Sequence, residues 1–406
     1  MAESTYFRRG FGLKSEIEAR ITSDYASAVV NRLRDSNFSL TVGPLTFRLA
    51  REFGFCYGVD RAVDYAYETR TKFPDRRIRL VGEIIHNPHV NSRLREMGIE
   101  FLFREANNQF DFSSVTRDDV ILLPAFGVTV ADFARLRDIG CVVVDTTCGS
   151  VLNVWKRVES YAKDGFTAVI HGKYYHEETR ATASQVSRYP DGRYLVVFDM
   201  AEARQVCDFI EGKGTAEALE RKFAEAVSPG FDFASGLIKV GLANQTTMLS
   251  GESLAIAQEF RQSMVRRYGE AAVAEHFRTF DTICSATQER QDAVIALLDS
   301  PPDLMLVLGG YNSSNTNHLA ALCRSEGIRT LHIEDSDAID VATGSIRHQP
   351  GIKMAEVVET DWLQGARDIG ITAGASTPNN KIGETILNVC TVAGVPYDAA
   401  LPEQSR

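Results

Sequence analysis

Three cysteines stand alone in the chain, Cys56, Cys148 and Cys284, each between an apolar run and a helix-patterned segment, with no second cysteine two to four residues away. A thiolate just before a helix is stabilised by unpaired amides and by the helix dipole. Three such thiolates could complete a zinc site with a histidine, or hold a [4Fe-4S] cube with one iron free of protein ligands. Zinc sites usually carry closely paired ligands, and none are paired here. The other four cysteines, Cys141, Cys207, Cys323 and Cys390, sit in apolar or helix-like stretches and read as small core residues.

Further polar groups collect where apolar runs end. Leu308-Gly309-Gly310-Tyr311-Asn312-Ser313-Ser314-Asn315 follows the run LMLVL and precedes a helix pattern, which places hydroxyls and an amide beside free backbone donors, an arrangement suited to an anion. Gly374-Ala375-Ser376-Thr377-Pro378 is a second such turn, and a diphosphate needs donors from several sides. His86 and His176 end comparable runs and could donate to a phosphate. His171 also ends a strand pattern, whereas His89, His276, His318, His332 and His348 read as surface or capping residues. Glu178 falls in the first turn of a helix pattern, where a carboxyl could cap the helix or deliver a proton. The turn Asn244-Gln245-Thr246-Thr247-Met248 offers hydroxyls for a proton relay.

The elements that must position these groups are legible as alternating short apolar runs and helix-patterned segments from residue 46 onward, an α/β pattern. In parallel sheets ligands gather at the carboxyl ends of strands, where these polar clusters fall. Cys148 and Cys284 share Asp-Thr-x-Cys, as Asp145-Thr146-Thr147-Cys148 and Asp281-Thr282-Ile283-Cys284, so a strand, cysteine turn and helix recur within the chain. The pattern divides into a helical arm over 1–45, ended by Gly43-Pro44, lobes over 46–145, 146–281 and 282–395, and a tail over 396–406. The middle lobe is lengthened by a charged stretch from about Ala201 to Ser235, read as a peripheral insertion.

At 406 residues and 44% hydrophobic the chain can bury a large core, and a formal charge of -10 argues against non-specific nucleic-acid binding. Seven cysteines are too few for a disulfide scaffold and odd in number, which favours a reducing compartment. The first 45 residues lack the apolar stretch of a signal peptide, and no run approaches the ~20 residues that span a bilayer, so a cytoplasmic protein without a membrane segment is expected.

With these residues assembled, the chain resembles the 4-hydroxy-3-methylbut-2-enyl diphosphate reductases, in their longer plant and cyanobacterial branch. The resemblance runs from Arg48 to about residue 395 on the blocks GFCYGVDRAV, EIIHNPHVN, VVDTTC, VIHGKYYHEETRATAS, NQTTM, DTICSATQERQDAV, LGGYNSSNTNHL and GAST. It implies three pseudo-equivalent α/β lobes arranged as a trefoil around a central iron-sulfur cluster, one [4Fe-4S] per subunit, with Cys56, Cys148 and Cys284 as ligands. It further implies Glu178 as the proton donor, Thr246 beside the substrate hydroxyl with Thr287 as a neighbour, and His86, His176, Ser313, Ser314, Asn315 and Ser376 as substrate contacts. The implied reaction is reductive dehydroxylation to isopentenyl and dimethylallyl diphosphate, the last step of the methylerythritol phosphate route, with ferredoxin or flavodoxin as electron donor. Arg76, Arg77 and Arg79 could face that donor or lie in a solvated loop. Two positions depart from the family pattern: Phe126 stands where many bacterial members have a histidine, and Gly149 where a proline usually follows the second cysteine. Two other classes fit parts of the pattern. One is another three-cysteine cluster enzyme such as a quinolinate synthase, against which Glu178 and the Asn-Ser-Ser-Asn block speak, and the other a non-catalytic, metal-stabilised redox sensor.

Overall fold

The runs that read as strands are strands, and helices fill most of the segments between them, in a computed structural model that describes residues 5–106 and 108–397. Contacts divide the chain into two units, each assembled from separate stretches. The first takes the chain up to Arg8, Asp75–Gly82 and Glu100–Cys284; the second takes Arg9–Pro74, Glu83–Ile99 and the chain from Ser285.

The first unit carries two sheets. One has the order β1 (Tyr6–Phe7), β7 (Val142–Asp145), β6 (Val120–Leu123), β4 (Ile78–Val81), β5 (Ile99–Leu102). The other has the order β11 (Phe277–Thr279), β10 (Val240–Asn244), β8 (Thr167–His171), β9 (Tyr194–Val197), with every neighbouring pair parallel. β6, β8 and β10 are buried along their whole length, as expected of parallel strands covered on both faces. In the second sheet, helices Gly149–Lys163, Met200–Ile210 and Ser250–Tyr268 supply the cover through Val158, Tyr161, Val206, Ile256 and Phe260. Tyr161 lies flat enough on β10 that a Cβ at Gly241 would come within 2.4 Å of its ring.

The second unit carries the order β13 (Thr330–Ile333), β12 (Leu304–Leu308), β17 (Asp368–Ala373), β3 (Leu45–Leu49), β2 (Ser39–Val42). Its first four strands are parallel and β2 is an antiparallel edge. Ser39 and Thr41 of β2 face solvent while Leu40 and Val42 are buried, the alternation of a half-covered strand. A small antiparallel sheet, β14 (Ile339–Asp340), β15 (Ser345–His348), β16 (Val357–Glu359), completes the unit.

Several segment boundaries differ from those read off the chain. Residues 46–49, read as the start of a lobe over 46–145, pair instead with β17, inside the stretch read as a lobe over 282–395. The pairing is driven by Leu45, Phe47 and Leu49 joining Ile369 and Ile371 in one apolar core, and is clamped by Arg48, which donates to both Asp368 oxygens at 2.8 Å. The arm is not simply appended: helix Ala28–Asp35 buries Val29, Val30 and Leu33 in that same core, and Tyr6–Phe7 forms β1 of the first unit. Of the stretch 201–235, the part up to Ile210 is a helix burying Ala203, Val206, Cys207 and Ile210, so it covers the sheet. Even Leu219, Phe223 and Phe233 beyond it are core residues. The expected tail at 396–406 lies, from 398 on, outside the described residues.

Candidate active site

All three solitary cysteines precede helices. Cys56 and Cys148 are the extended N-cap residues of Tyr57–Lys72 and Gly149–Lys163, and Cys284 immediately precedes Ser285–Leu298. The backbone around them follows one rule. The Cys148 amide donates to Ala125 O at 2.8 Å, the Cys284 amide to Thr246 O at 3.2 Å, and the Cys56 amide to Ala375 O at 3.2 Å. Each acceptor is the second residue past the end of a strand, β6, β10 and β17 respectively, and each of those strands neighbours the one that leads into the cysteine turn. The shared Asp-Thr-x-Cys is also a shared bonding pattern. Asp145 Oδ1 accepts from the Thr147 amide at 2.9 Å and Asp281 Oδ1 from the Ile283 amide at 3.0 Å, while Thr146 donates to Leu123 O and Thr282 to Asn244 O, the last carbonyls of β6 and β10.

The three cysteines are partly exposed and the other four are buried. Burial pushes the thiols of Cys141 and Cys207 up, that of Cys323 to about 12 and that of Cys390 to about 11, which keeps these thiols protonated at neutral pH. Helix N-termini, pinned amides and partial exposure fit thiolate ligands of a metal centre; the four buried thiols do not.

In the first unit, Glu178 is 3% exposed and its carboxylate accepts from the Thr246 amide at 2.6 Å and the Thr246 hydroxyl at 3.0 Å. Thr246 is thus shared, its carbonyl taking the Cys284 amide and its amide and hydroxyl holding the acid. His176 caps the helix Glu177–Ala183 by accepting the Glu178 amide at Nδ1 (3.2 Å), so a neutral ring carries its proton on Nε2 and presents a donor there. Phe126, one of the two departures from the family pattern, meets the His176 ring edge-on with centroids 6.3 Å apart, an apolar packing contact. Gln245 was not singled out from the sequence. It is buried, its Oε1 accepts from the Lys173 amide (3.1 Å) and the Thr179 hydroxyl (3.0 Å), and its Nε2 donates to Thr247 (2.9 Å), so it ties the turn bearing His176 and Glu178 to the Thr246 turn. His171 is fully buried with Nδ1 2.8 Å from Ser253 Oγ, and burial lowers its pKa to about 4.

In the second unit, Ser313 caps the helix Ser314–Ser325, and its hydroxyl accepts from Thr316 N (3.3 Å) and Thr316 Oγ1 (2.9 Å). Asn315 accepts the Ala375 amide at 3.0 Å through Oδ1, which leaves Nδ2 buried without a partner among the described residues. Ser376 donates to His86 O at 3.2 Å, and His86 Nδ1 lies 3.0 Å from Glu83. The unit therefore gathers His86, Ser313, Ser314, Asn315 and Ser376 around the two glycine turns and the start of one helix. Gly374 is required there, since a Cβ would lie 1.9 Å from Thr316 Oγ1. His332 proves to be a buried brace instead of a surface residue: its Nε2 is 2.9 Å from Gly309 O, and burial lowers its pKa to about 4. His318 and His348 are buried too. Thr287 is buried on the helix Ser285–Leu298. Arg76, Arg77 and Arg79 bond to the Asp118 carbonyl, Asp119 and Glu100, so all three secure structure of their own unit.

Residues 47–389 match the family model described as LytB protein. The chain belongs to the LytB family. It is 47% identical over 388 residues to the 4-hydroxy-3-methylbut-2-enyl diphosphate reductase of Thermosynechococcus vestitus, covering 95% of this chain and 94% of that one. The reductase of the same name from Gloeobacter violaceus is 45% identical over 404 residues, 98% of this chain and 95% of that one. Among solved structures, the E-1-hydroxy-2-methyl-but-2-enyl-4-diphosphate reductase of Plasmodium falciparum superposes with a TM-score of 0.62 at 20% identity, over 85% of this chain and 87% of that chain, which establishes the shared α/β fold.

Proposed function

We propose that this protein is an iron-sulfur oxidoreductase that removes the hydroxyl of 4-hydroxy-3-methylbut-2-enyl diphosphate reductively, giving isopentenyl and dimethylallyl diphosphate. Near-full-length identity to reductases of that name supports the substrate and the reaction, and no relative reported above bears the name of a quinolinate synthase. Cys56, Cys148 and Cys284 would hold one [4Fe-4S] cluster. When bound, the cluster supplies electrons one at a time and an iron that acts as a Lewis acid toward the hydroxyl oxygen.

The chain's own residues divide the remaining work. Asn315 Nδ2, buried without a partner among the described residues, is a donor that awaits an anion, and it stands in the first turn of a helix whose amides favour negative charge. The hydroxyls of Ser313 and Ser314 add donors of the kind a diphosphate takes from several sides, Ser376 would join them by releasing the His86 carbonyl, and the His86 imidazole is assigned to the same anion. Remote binding of this sort positions the reacting carbon. His176 presents Nε2–H as a further donor, with its ring fixed by the Glu178 amide and the Phe126 edge. Glu178, held by Thr246, delivers the proton that the departing oxygen requires.

The observation that carries the proton-transfer assignment is the Glu178–Thr246 pair, a buried carboxyl with a hydroxyl in contact. Ferredoxin or flavodoxin is the electron donor and the cytoplasm the compartment in this reading; among the described residues no helix is long and apolar enough to cross a membrane. The test is an anaerobic assay of purified, iron-loaded protein with the hydroxymethylbutenyl diphosphate and a strong one-electron reductant. Both five-carbon diphosphates should appear; iron-loaded protein that yields neither defeats the proposal.

A further inference from the structure

Arg290, on the helix Ser285–Leu298, is only 3% exposed. Among the described residues its guanidinium is hydrogen-bonded by backbone alone: Nη1 donates to Ala286 O at 2.8 Å and Nη2 to Gly54 O at 2.7 Å, while Nε is buried without a hydrogen-bond partner there. Among the described residues no carboxylate forms an ion pair with it; Asp60 acts on it only from a longer range. A guanidinium cannot shed its proton to escape burial, and an uncompensated buried charge is strongly unfavourable. Beyond the distant Asp60, a fold that keeps one there calls for further negative charge that none of the described residues supplies.

The place of that cation says what the charge would be. Gly54 lies two residues before Cys56, in the left-handed region at φ +73, and a Cβ on it would come within 2.6 Å of Asn379 Oδ1. Its carbonyl is therefore held in one orientation by Arg290, and the Cys56 amide is held by Ala375 O. We propose that Arg290 is a positioning residue for the Cys56 turn and the counter-charge of the anionic iron-sulfur group that Cys56 binds, raising that group's reduction potential. This rests on the cluster reading above. Three thiolates make such a group net negative, and more so after it gains an electron, so a neighbouring cation stabilises the reduced form more than the oxidised one.

The test uses iron-loaded wild type, Arg290→Met and Arg290→Lys under anaerobic conditions, with the midpoint potential read by a spectroscopic redox titration and iron loss read by transfer to a chelator. Arg290→Met should shift the midpoint to a more negative value and release iron several-fold faster. Arg290→Lys keeps the charge but not the fork, so it should hold its midpoint near wild type while releasing iron faster. An unchanged midpoint in Arg290→Met overturns the proposal, as does an equal negative shift in both variants; a merely structural arginine would lower thermal stability and leave the midpoint of the loaded fraction where it was. Should Arg290→Met fail to accumulate, Arg290→Gln takes its place under the same criteria. A wild type that holds no iron would instead defeat the function proposed for the protein.

Discussion

Glu178 and Thr246 are joined twice, amide to carboxylate at 2.6 Å and hydroxyl to carboxylate at 3.0 Å, and both side chains are almost fully buried. An amide in place of the Glu178 carboxyl keeps the shape but offers a single acceptor oxygen and no acidic proton. Glu178→Gln should therefore bind substrate normally and lose roughly 100- to 10,000-fold in kcat, the span usual for a positioned acid. Steady-state kinetics with a separate binding measurement checks it, and a kcat within about three-fold of wild type would remove Glu178 from the proton transfer.

Thr246→Val removes only the hydroxyl and leaves one carboxylate oxygen buried without that donor. The expected loss of stability is about 1–3 kcal/mol, read from urea midpoints, accompanied by a fall in kcat larger than any change in KM. Thr246→Ser keeps the donor and should recover most of both.

The seven cysteines should separate into two chemical classes. In iron-free, folded protein at pH 7, Cys56, Cys148 and Cys284 should alkylate readily, whereas Cys141, Cys207, Cys323 and Cys390, buried and with raised thiol pKa values, should stay unmodified until the protein unfolds. Peptide mass mapping after a short iodoacetamide pulse gives the answer. Rapid labelling of Cys323 would contradict its position in the core.

Acid should weaken the fold through its buried histidines. His171 and His332 titrate near 4 when folded against 6.5 in the ordinary imidazole, so between those values the unfolded chain takes up protons that the folded chain refuses. Their contribution is fully present above pH 6.5 and declines as the pH falls toward 4, by about 1.4 kcal/mol per pH unit for each group over that window. His171→Gln should flatten the pH dependence of the urea midpoint between pH 6.5 and 4; an unaltered slope would show that His171 does not titrate there.

Gly374→Ala forces a methyl against Thr316, and Thr316 is the residue that holds the Ser313 hydroxyl. Overpacking of this kind costs about 1–3 kcal/mol, and the displaced cap should raise KM for the diphosphate more than it lowers kcat. Kinetics across a substrate series, set beside thermal unfolding, distinguishes that outcome from general destabilisation.

The local settings of the candidate site residues were legible because their signals are local. A cysteine between an apolar run and a helix pattern announces a strand-to-helix turn, and Ser313, Asn315, Ser376 and His86 announce themselves by lying where apolar runs stop. What escaped is long-range. Nothing in the text near Leu45 says that it will pair with a strand more than three hundred residues away, although Arg48 and Asp368 form the clamp. Gln245 looks like a turn residue until its three partners are known, and His332 looks exposed until β13 is seen buried. The stretch 201–235 misled by composition, since its charges and alanines concealed apolar residues at helical spacing.

The carbonyls that receive the three cysteine amides belong to Ala125, Thr246 and Ala375, and no side-chain substitution deletes a peptide oxygen. What these junctions cannot absorb is a change in count. One residue gained or lost just after β6, β10 or β17 would present a different oxygen to the waiting amide and shift the cysteine that carries it, so these corners tolerate rewording but not lengthening.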